Sequence, residues 1–421
     1  MSTLVSRPET GLRKTTLQNG LTVLSEYIPG VRSVAVGAWV RAASIHEPAS
    51  QMGVSHFLEH LVFKGTRSMG PREIALSIEQ LGGSLDAYTA RDHTSFQARI
   101  LDEHLDAAVS VIGELLFHPT LRESDLKLER KVILEEIGMV EDTPDDLVFE
   151  LHNAALWGAS PYGYTILGSR ETVGGMQLDD VRALHARAYR PSLIVVAAAG
   201  NVEHDRFVDA LERTGWGAVS SEGATLPVAE APIALPPRSQ SHARDGSQVH
   251  LVFGSAAIQN ADPRRHAFSL VSMLLGDGMS SRLFQRVRED LGLAYSVHTF
   301  QEFFIGAGVH GVYVGTAPET AVKAETVVRE ELDRLAGEGL SGLELEAAKR
   351  QLKGQVTLSL ESVAARMYRA AATELYGRRF RELDEVLAEI DAVDLAQVNQ
   401  LCHDFFRADA QTLVRLGPAS A

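Results

Sequence analysis

The stretch "VAVGAWVRAASIHEP", Val34 to Pro48, lies over "VHLVFGSAAIQNADP", Val249 to Pro263, at an offset of 215, with Val36 on Leu251 and Pro48 on Pro263. A second match, at an offset of 217 and without a gap, joins Leu178 to Leu395, Val181 to Val398, Leu184 to Leu401, Tyr189 to Phe406, Arg190 to Arg407 and Gly200 to Gly417. Two matches that agree within two residues read as an internal repeat. Each half opens on an apolar strand and closes with a helix and then a strand.

Between the halves, Gly217 to Gly246 ("GAVSSEGATLPVAEAPIALPPRSQSHARDG") is rich in Pro, Ser, Gly and Ala and has no regular period. The expected division is therefore a first half over 1–216, a linker over 217–246 and a second half over 247–421. Strand patterns such as "LTVLSEYI", "SVAVGAWV", "SFQARI", "SQVHLVFG" and "GVHGVYVG" alternate with long amphipathic helices, of which Asp125 to Val140 is the clearest. Helices interleave with hairpin-like strands. This predicts an α+β fold of two tandem homologous domains, each a largely antiparallel sheet with helices packed on one face.

The chain has 421 residues, 45% of them hydrophobic, which is enough for two cores. Its 40 Lys and Arg against 55 Asp and Glu give a net charge of −15, which opposes binding to nucleic acid or an anionic membrane. One cysteine, Cys402, forbids an internal disulfide. The segment "MSTLVSRPETGLRKTT" has neither an apolar signal core nor an arginine-rich amphipathic pattern, and no window approaches the ~20 apolar residues of a membrane span. The expectation is a cytoplasmic protein.

In "GVSHFLEHLVFKGT", Gly53 to Thr66, a helix places His56, Glu59, His60 and Phe63 on one face, with Phe57, Leu58, Leu61 and Val62 on the other. Histidines four apart reach a common ion, and Glu59 points into the same space. Two solvated histidines would show the same spacing. Further on, "SDLKLERKVILEEIGMV" places Leu126, Val132, Ile133, Ile137, Met139 and Val140 within about 80° of Glu129, and Glu136 about 20° from it. Two carboxylates in the middle of an apolar face are costly unless a cation or hydrogen bonds compensate them. Glu135 points elsewhere. The alternative is an exposed pair, or pairing with Arg122 or Arg99.

Two histidines and one carboxylate leave a position for water, as in a catalytic zinc site. The repeat supplies a control: at the 215 offset His56, Glu59 and His60 become Val271, Leu274 and Leu275, and at 217 Glu136 becomes Lys353. The half-domain fold does not need the polar set. It serves something peculiar to the first half.

These residues resemble the pitrilysin/insulinase family of zinc metallopeptidases, whose inverted His-x-x-Glu-His motif precedes a glutamate ligand by about 75 residues; Glu136 follows His60 by 76. The likeness extends through "FKGT", "GGSLDAYTARDHTSF", "PYGYTILG" and "RVREDLGLAYSV", and is greatest to short members akin to the mitochondrial processing peptidase β subunit. It implies a processing-peptidase/insulinase-like metallohydrolase fold and one zinc per chain, held by His56, His60 and Glu136. Hydrolysis would use metal-activated water with Glu59 as general base, and Glu129 would orient a ligand. It also implies that Arg286 and Tyr295, with Arg288 as the rival arginine, reach the substrate. The edge strand through Leu85, Asp86, Ala87 and Tyr88 would pair with substrate backbone. A homodimer is implied, with a heterodimer of homologous subunits as the alternative.

A non-catalytic scaffold of the same fold, like the respiratory-chain core proteins, is the competing function. The intact ligand set weighs against it. A purely structural zinc would call for four protein ligands and leave Glu59 without a task.

Overall fold

The computed structural model describes residues 11–419. Of the amino-terminal segment "MSTLVSRPETGLRKTT", residues 1–10 lie outside the described residues. No helix among the described residues is long and apolar enough to cross a membrane.

Eleven strands among the described residues form two sheets. The first holds β1 (Gly11–Thr16), β2 (Thr22–Tyr27), β3 (Ser33–Val40), β4 (Ser84–Thr89), β5 (Thr94–Leu101) and β6 (Ile194–Gly200), in the order β1-β2-β6-β3-β5-β4. The second holds β7 (Ser239–Ala243), β8 (Val249–Ala257), β9 (Ala294–Phe303), β10 (Gly308–Thr316) and β11 (Thr412–Gly417), in the order β7-β11-β8-β10-β9. Apart from one parallel pair in each, β2 with β6 and β7 with β11, neighbours are antiparallel.

The repeat is visible in this topology. Beyond β1, the strands correspond one for one: β2 to β7, β6 to β11, β3 to β8, β5 to β10 and β4 to β9, with the parallel pair in the same place. The stretch from Val34 supplies β3 and its counterpart from Val249 supplies β8. Strand β7 falls inside the segment expected to be a linker. Its polar residues alternate between exposed and half-buried, as suits a short strand at a sheet edge, and so leave no apolar period to read.

The chain divides into two compact units that are not contiguous in sequence. Among the described residues the first comprises 11–136, 165–228 and 358–382, and the second 137–164, 229–357 and 383–419. The sheets follow the two halves, but two helices do not. Helix Val363–Leu375 belongs to the first unit, where Val363, Met367, Ala370 and Ala371 pack on Leu24, Ala35, Trp39, Val195, Ala197 and Ala199. Helix Pro144–Trp157 belongs to the second, where Val148 and Ala155 pack on Val252, Tyr313, Val414 and Leu416. In the first sheet the alternate set, Val34, Val36, Ala38 and Val40, is equally buried. A sheet buried on both faces needs this extra helix beyond the layer expected on one face.

His152, on helix Pro144–Trp157, is buried against Gly254 of β8, where a Cβ would stand 2.5 Å from its Cε1. Burial pushes its pKa from 6.5 down to about 4. Above pH 6.5 the ring is neutral whether the chain is folded or not. As the pH falls from 6.5 towards 4, the unfolded chain takes a proton that the folded one refuses, so stability declines by up to roughly 3 kcal/mol from this group. Urea unfolding at pH 7 and pH 4.5 should show a shallower loss for His152→Gln than for the parent chain.

Candidate metal centre

Helix Val54–Val62 starts at Gly53, whose φ of 91° suits glycine and whose Cβ would meet the Leu167 carbonyl oxygen at 2.6 Å. The buried carboxylate of Glu47 accepts hydrogen bonds from the backbone N–H groups of Gly53 and Ser55, both at 2.7 Å, and so caps the first turn. Phe57, Leu58, Leu61 and Val62 are fully buried. The opposite face, as the sequence predicts, carries His56, Glu59 and His60.

The second element is helix Glu123–Asp142. Arg130 fixes it by donating to the carbonyls of Val173 and Met176. Leu126, Ile133 and Ile137 are buried, whereas Val132 and Met139 are 44% and 68% exposed. The apolar face is therefore narrower than the helical projection suggests. Glu129 and Glu136 lie at its edge, which leaves Glu136 half-buried, while Glu135 is exposed.

These helices bring His56, His60 and Glu136 together. One ligand atom from each lies within 4.8 Å of the others, and they are the one such group of three or more among the described residues. Glu136 Oε2 is 3.8 Å from His56 Nε2 and 3.5 Å from His60 Nε2. Burial, followed by the neighbouring His60, pushes the pKa of His56 down to about 3, so the ring is neutral at pH 7 and keeps a lone pair for a cation. Glu136 Oε2 and His56 Nδ1 are buried without a hydrogen-bond partner. Two imidazoles and an orphaned carboxylate oxygen form a donor set that fits a divalent ion such as zinc.

Glu129 does not join the three. Its Oε2 lies 3.0 Å from His60 Nδ1, which turns Nε2 of that ring towards Glu136. Lys64, rather than an arginine, compensates the buried carboxylate, with Nζ 2.9 Å from Glu129 Oε1. Glu59 accepts a hydrogen bond from Thr89 Oγ1 at 2.5 Å. Burial raises its pKa, opposed by that hydrogen bond and by His60, and the result is a more basic carboxylate than usual.

Thr89 ends β4, the edge strand of the first sheet. Leu85 and Ala87 are half-buried and Asp86 is exposed; Tyr88, 39% exposed, sets its hydroxyl 3.4 Å from His93 Nε2. One side of this strand has no neighbour among the described strands.

In the second unit Tyr295, 77% exposed, lies near the start of the edge strand β9. Its partner is Arg288, which stands 4.8 Å from the ring centroid and donates from Nη1 to the Tyr295 carbonyl at 3.0 Å. Arg286 is exposed. Residues Phe284–Asp290 are wound as a π-helix with Val287 buried.

Residues 22–170 match the sequence profile of Insulinase (Peptidase family M16), and residues 175–352 that of the Peptidase M16 inactive domain. An uncharacterized zinc protease of Bacillus subtilis (strain 168), YmxG, is 37% identical over 94% of this chain and 96% of its own length. The chain belongs to peptidase family M16. An uncharacterized zinc protease of Mycobacterium leprae (strain TN), also similar to this M16 chain, is 36% identical over 97% of it and 92% of the relative. Among solved structures, a peptidase M16 inactive domain from Pseudomonas fluorescens matches with a TM-score of 0.91 at 21% identity, covering 98% of both chains. A protease from Helicobacter pylori matches at 0.90 and 20% identity, over 98% of this chain and 100% of the other. These two support the fold.

The M16 halves differ where the repeat suggests. Val271 and Leu275 are fully buried on helix Arg265–Gly276 in the second-half core, with Leu274 packed against it. Sequence reasoning missed two polar contacts of the first half. Lys64 follows His60 by four residues, a spacing that could have flagged it. Thr89 carried no local signal.

Proposed function

We propose that this M16 chain is a zinc-dependent endopeptidase that hydrolyses peptide bonds in short or unstructured peptides, with Glu59 as general base. The observation that carries the proposal is the convergence of His56, His60 and Glu136 within 4.8 Å, with Glu136 Oε2 buried and unpartnered. Zinc held by these groups supplies Lewis acidity, acidifying water and polarising a peptide carbonyl. Glu59 takes the proton of the attacking water and delivers it to the leaving amine. Glu129 holds the His60 ring in orientation.

The open side of β4, through Leu85, Asp86, Ala87 and Tyr88, pairs with an extended peptide backbone. Such pairing reads little side-chain identity and suits many sequences. Tyr295 and an arginine act on the substrate, and the contact between Arg288 and Tyr295 favours Arg288 over Arg286 for that part. With two half-domains per chain, the working particle is a two-fold homodimer of about twice 45.7 kDa.

The test is zinc content measured beside hydrolysis of an unstructured peptide. One equivalent of zinc, with activity lost to a chelator and restored by metal, is expected. Full zinc occupancy without hydrolysis of any member of a peptide library would overturn the enzymatic reading.

Thr89→Val gives a separate check through pH. The Thr89 hydroxyl favours the charged form of Glu59. Without that hydrogen bond the neutral form of Glu59 gains relative to the charged one, so its pKa should rise further. A base must be deprotonated to act. The acidic limb of the kcat/KM profile should therefore move to higher pH, with the basic limb unchanged.

A further inference from the structure

We propose that Lys64 is a positioning residue of the metal centre: through Glu129 it fixes the orientation in which His60 presents Nε2 to the ion. The proposal rests on the metal-centre reading above.

The contacts form a chain with one link per atom. Lys64 Nζ meets Glu129 Oε1 at 2.9 Å, Glu129 Oε2 meets His60 Nδ1 at 3.0 Å, and His60 Nε2 faces Glu136. Glu129 is 5% exposed, so each of its oxygens needs a partner inside the protein. Lys64 occupies one oxygen and leaves the other for the histidine. Without the ammonium, the carboxylate would keep a single partner and lose its countercharge. It would then rotate or draw in water, and the His60 ring would lose the acceptor that sets its angle.

The backbone at Lys64 is held for this task. Its N–H donates to the Leu61 carbonyl at 3.1 Å, and its carbonyl accepts from Arg122 Nη2 at 2.7 Å. Arg122 Nε in turn donates to Asp125 Oδ2 at 2.7 Å, one helical turn before Glu129. Next along the chain, Gly65 has a φ of 135° and its carbonyl accepts from Thr120 Oγ1 at 3.0 Å. The turn that ends the histidine helix is thus tied to the helix that supplies Glu129 and Glu136. Lys64 stands at the junction.

Outer partners of metal ligands are worth about 10–100-fold in affinity, and Lys64, one link further out, belongs at the low end of that range. The experiment is a zinc competition titration against a chromophoric chelator on the full chain, with urea unfolding of the metal-free proteins alongside. Lys64→Met should weaken zinc about 10-fold, and Lys64→Arg, which keeps the charge, should restore most of it. Glu129→Gln should weaken zinc as well, and adding Lys64→Met to it should cost nothing more. Wild-type affinity in Lys64→Met, or an equal loss in the Glu129→Gln background, overturns the proposal. If Lys64→Met does not fold, Lys64→Gln is judged by the same two criteria. A wild-type chain with no affinity for zinc overturns the metal-centre reading itself and this proposal with it.

Discussion

Glu59→Gln should keep zinc at the parent's stoichiometry and hydrolyse unstructured peptides at least ~100-fold more slowly, since a positioned general base contributes about 10²–10⁴-fold. The amide replaces the carboxylate with little change of shape, and Glu59 is not among the three converging ligand groups. What is lost is the proton acceptor, which burial makes more basic than an ordinary glutamate. The measurement is kcat on one peptide at matched metal content. Parental activity in zinc-loaded Glu59→Gln would end the assignment of the base.

Glu136→Gln should empty the site, while Glu135→Gln should change neither zinc content nor hydrolysis. The two residues are adjacent in sequence but turned apart by ~100° on helix Glu123–Asp142. Glu136 carries the orphaned oxygen, 3.5 Å and 3.8 Å from the two histidine nitrogens, whereas Glu135 faces solvent. Losing one of three ligands should exceed the roughly 10–100-fold cost of losing an outer partner. Metal analysis after gel filtration distinguishes the two variants. Retention of zinc by Glu136→Gln, with loss in Glu135→Gln, would mean that the helix is phased differently around the ion.

The legible part of the site was the part written in helical phase. His56, Glu59 and His60 share a face because of their spacing within one nine-residue helix, and Glu129 and Glu136 share another because seven residues make two turns. The projection of the longer helix overstated its buried arc: Val132 and Met139, placed on the apolar face by angle, are exposed. Angle fixes direction but says nothing about how far a neighbouring element extends.

Local pattern by itself determined the strands that open and close the two halves and the phase of the two ligand-bearing helices, while the edge position of β4 was legible only through the family resemblance. It determined the asymmetry too, since Val271 and Leu275 could be read as core residues before their burial was known. Only the tertiary structure decided which sheet each helix covers, and it sends helices Pro144–Trp157 and Val363–Leu375 to units other than those of their own sequence halves. It also decided the polar pairings: Lys64 with Glu129, Thr89 with Glu59, and Arg288, not Arg286, with Tyr295. The physical reason is range. An amphipathic period states that a face must be buried, which any apolar surface can satisfy, whereas a hydrogen bond between residues 30 positions apart, or an ion pair between residues 65 apart, exists only once packing has brought two particular atoms within 3 Å.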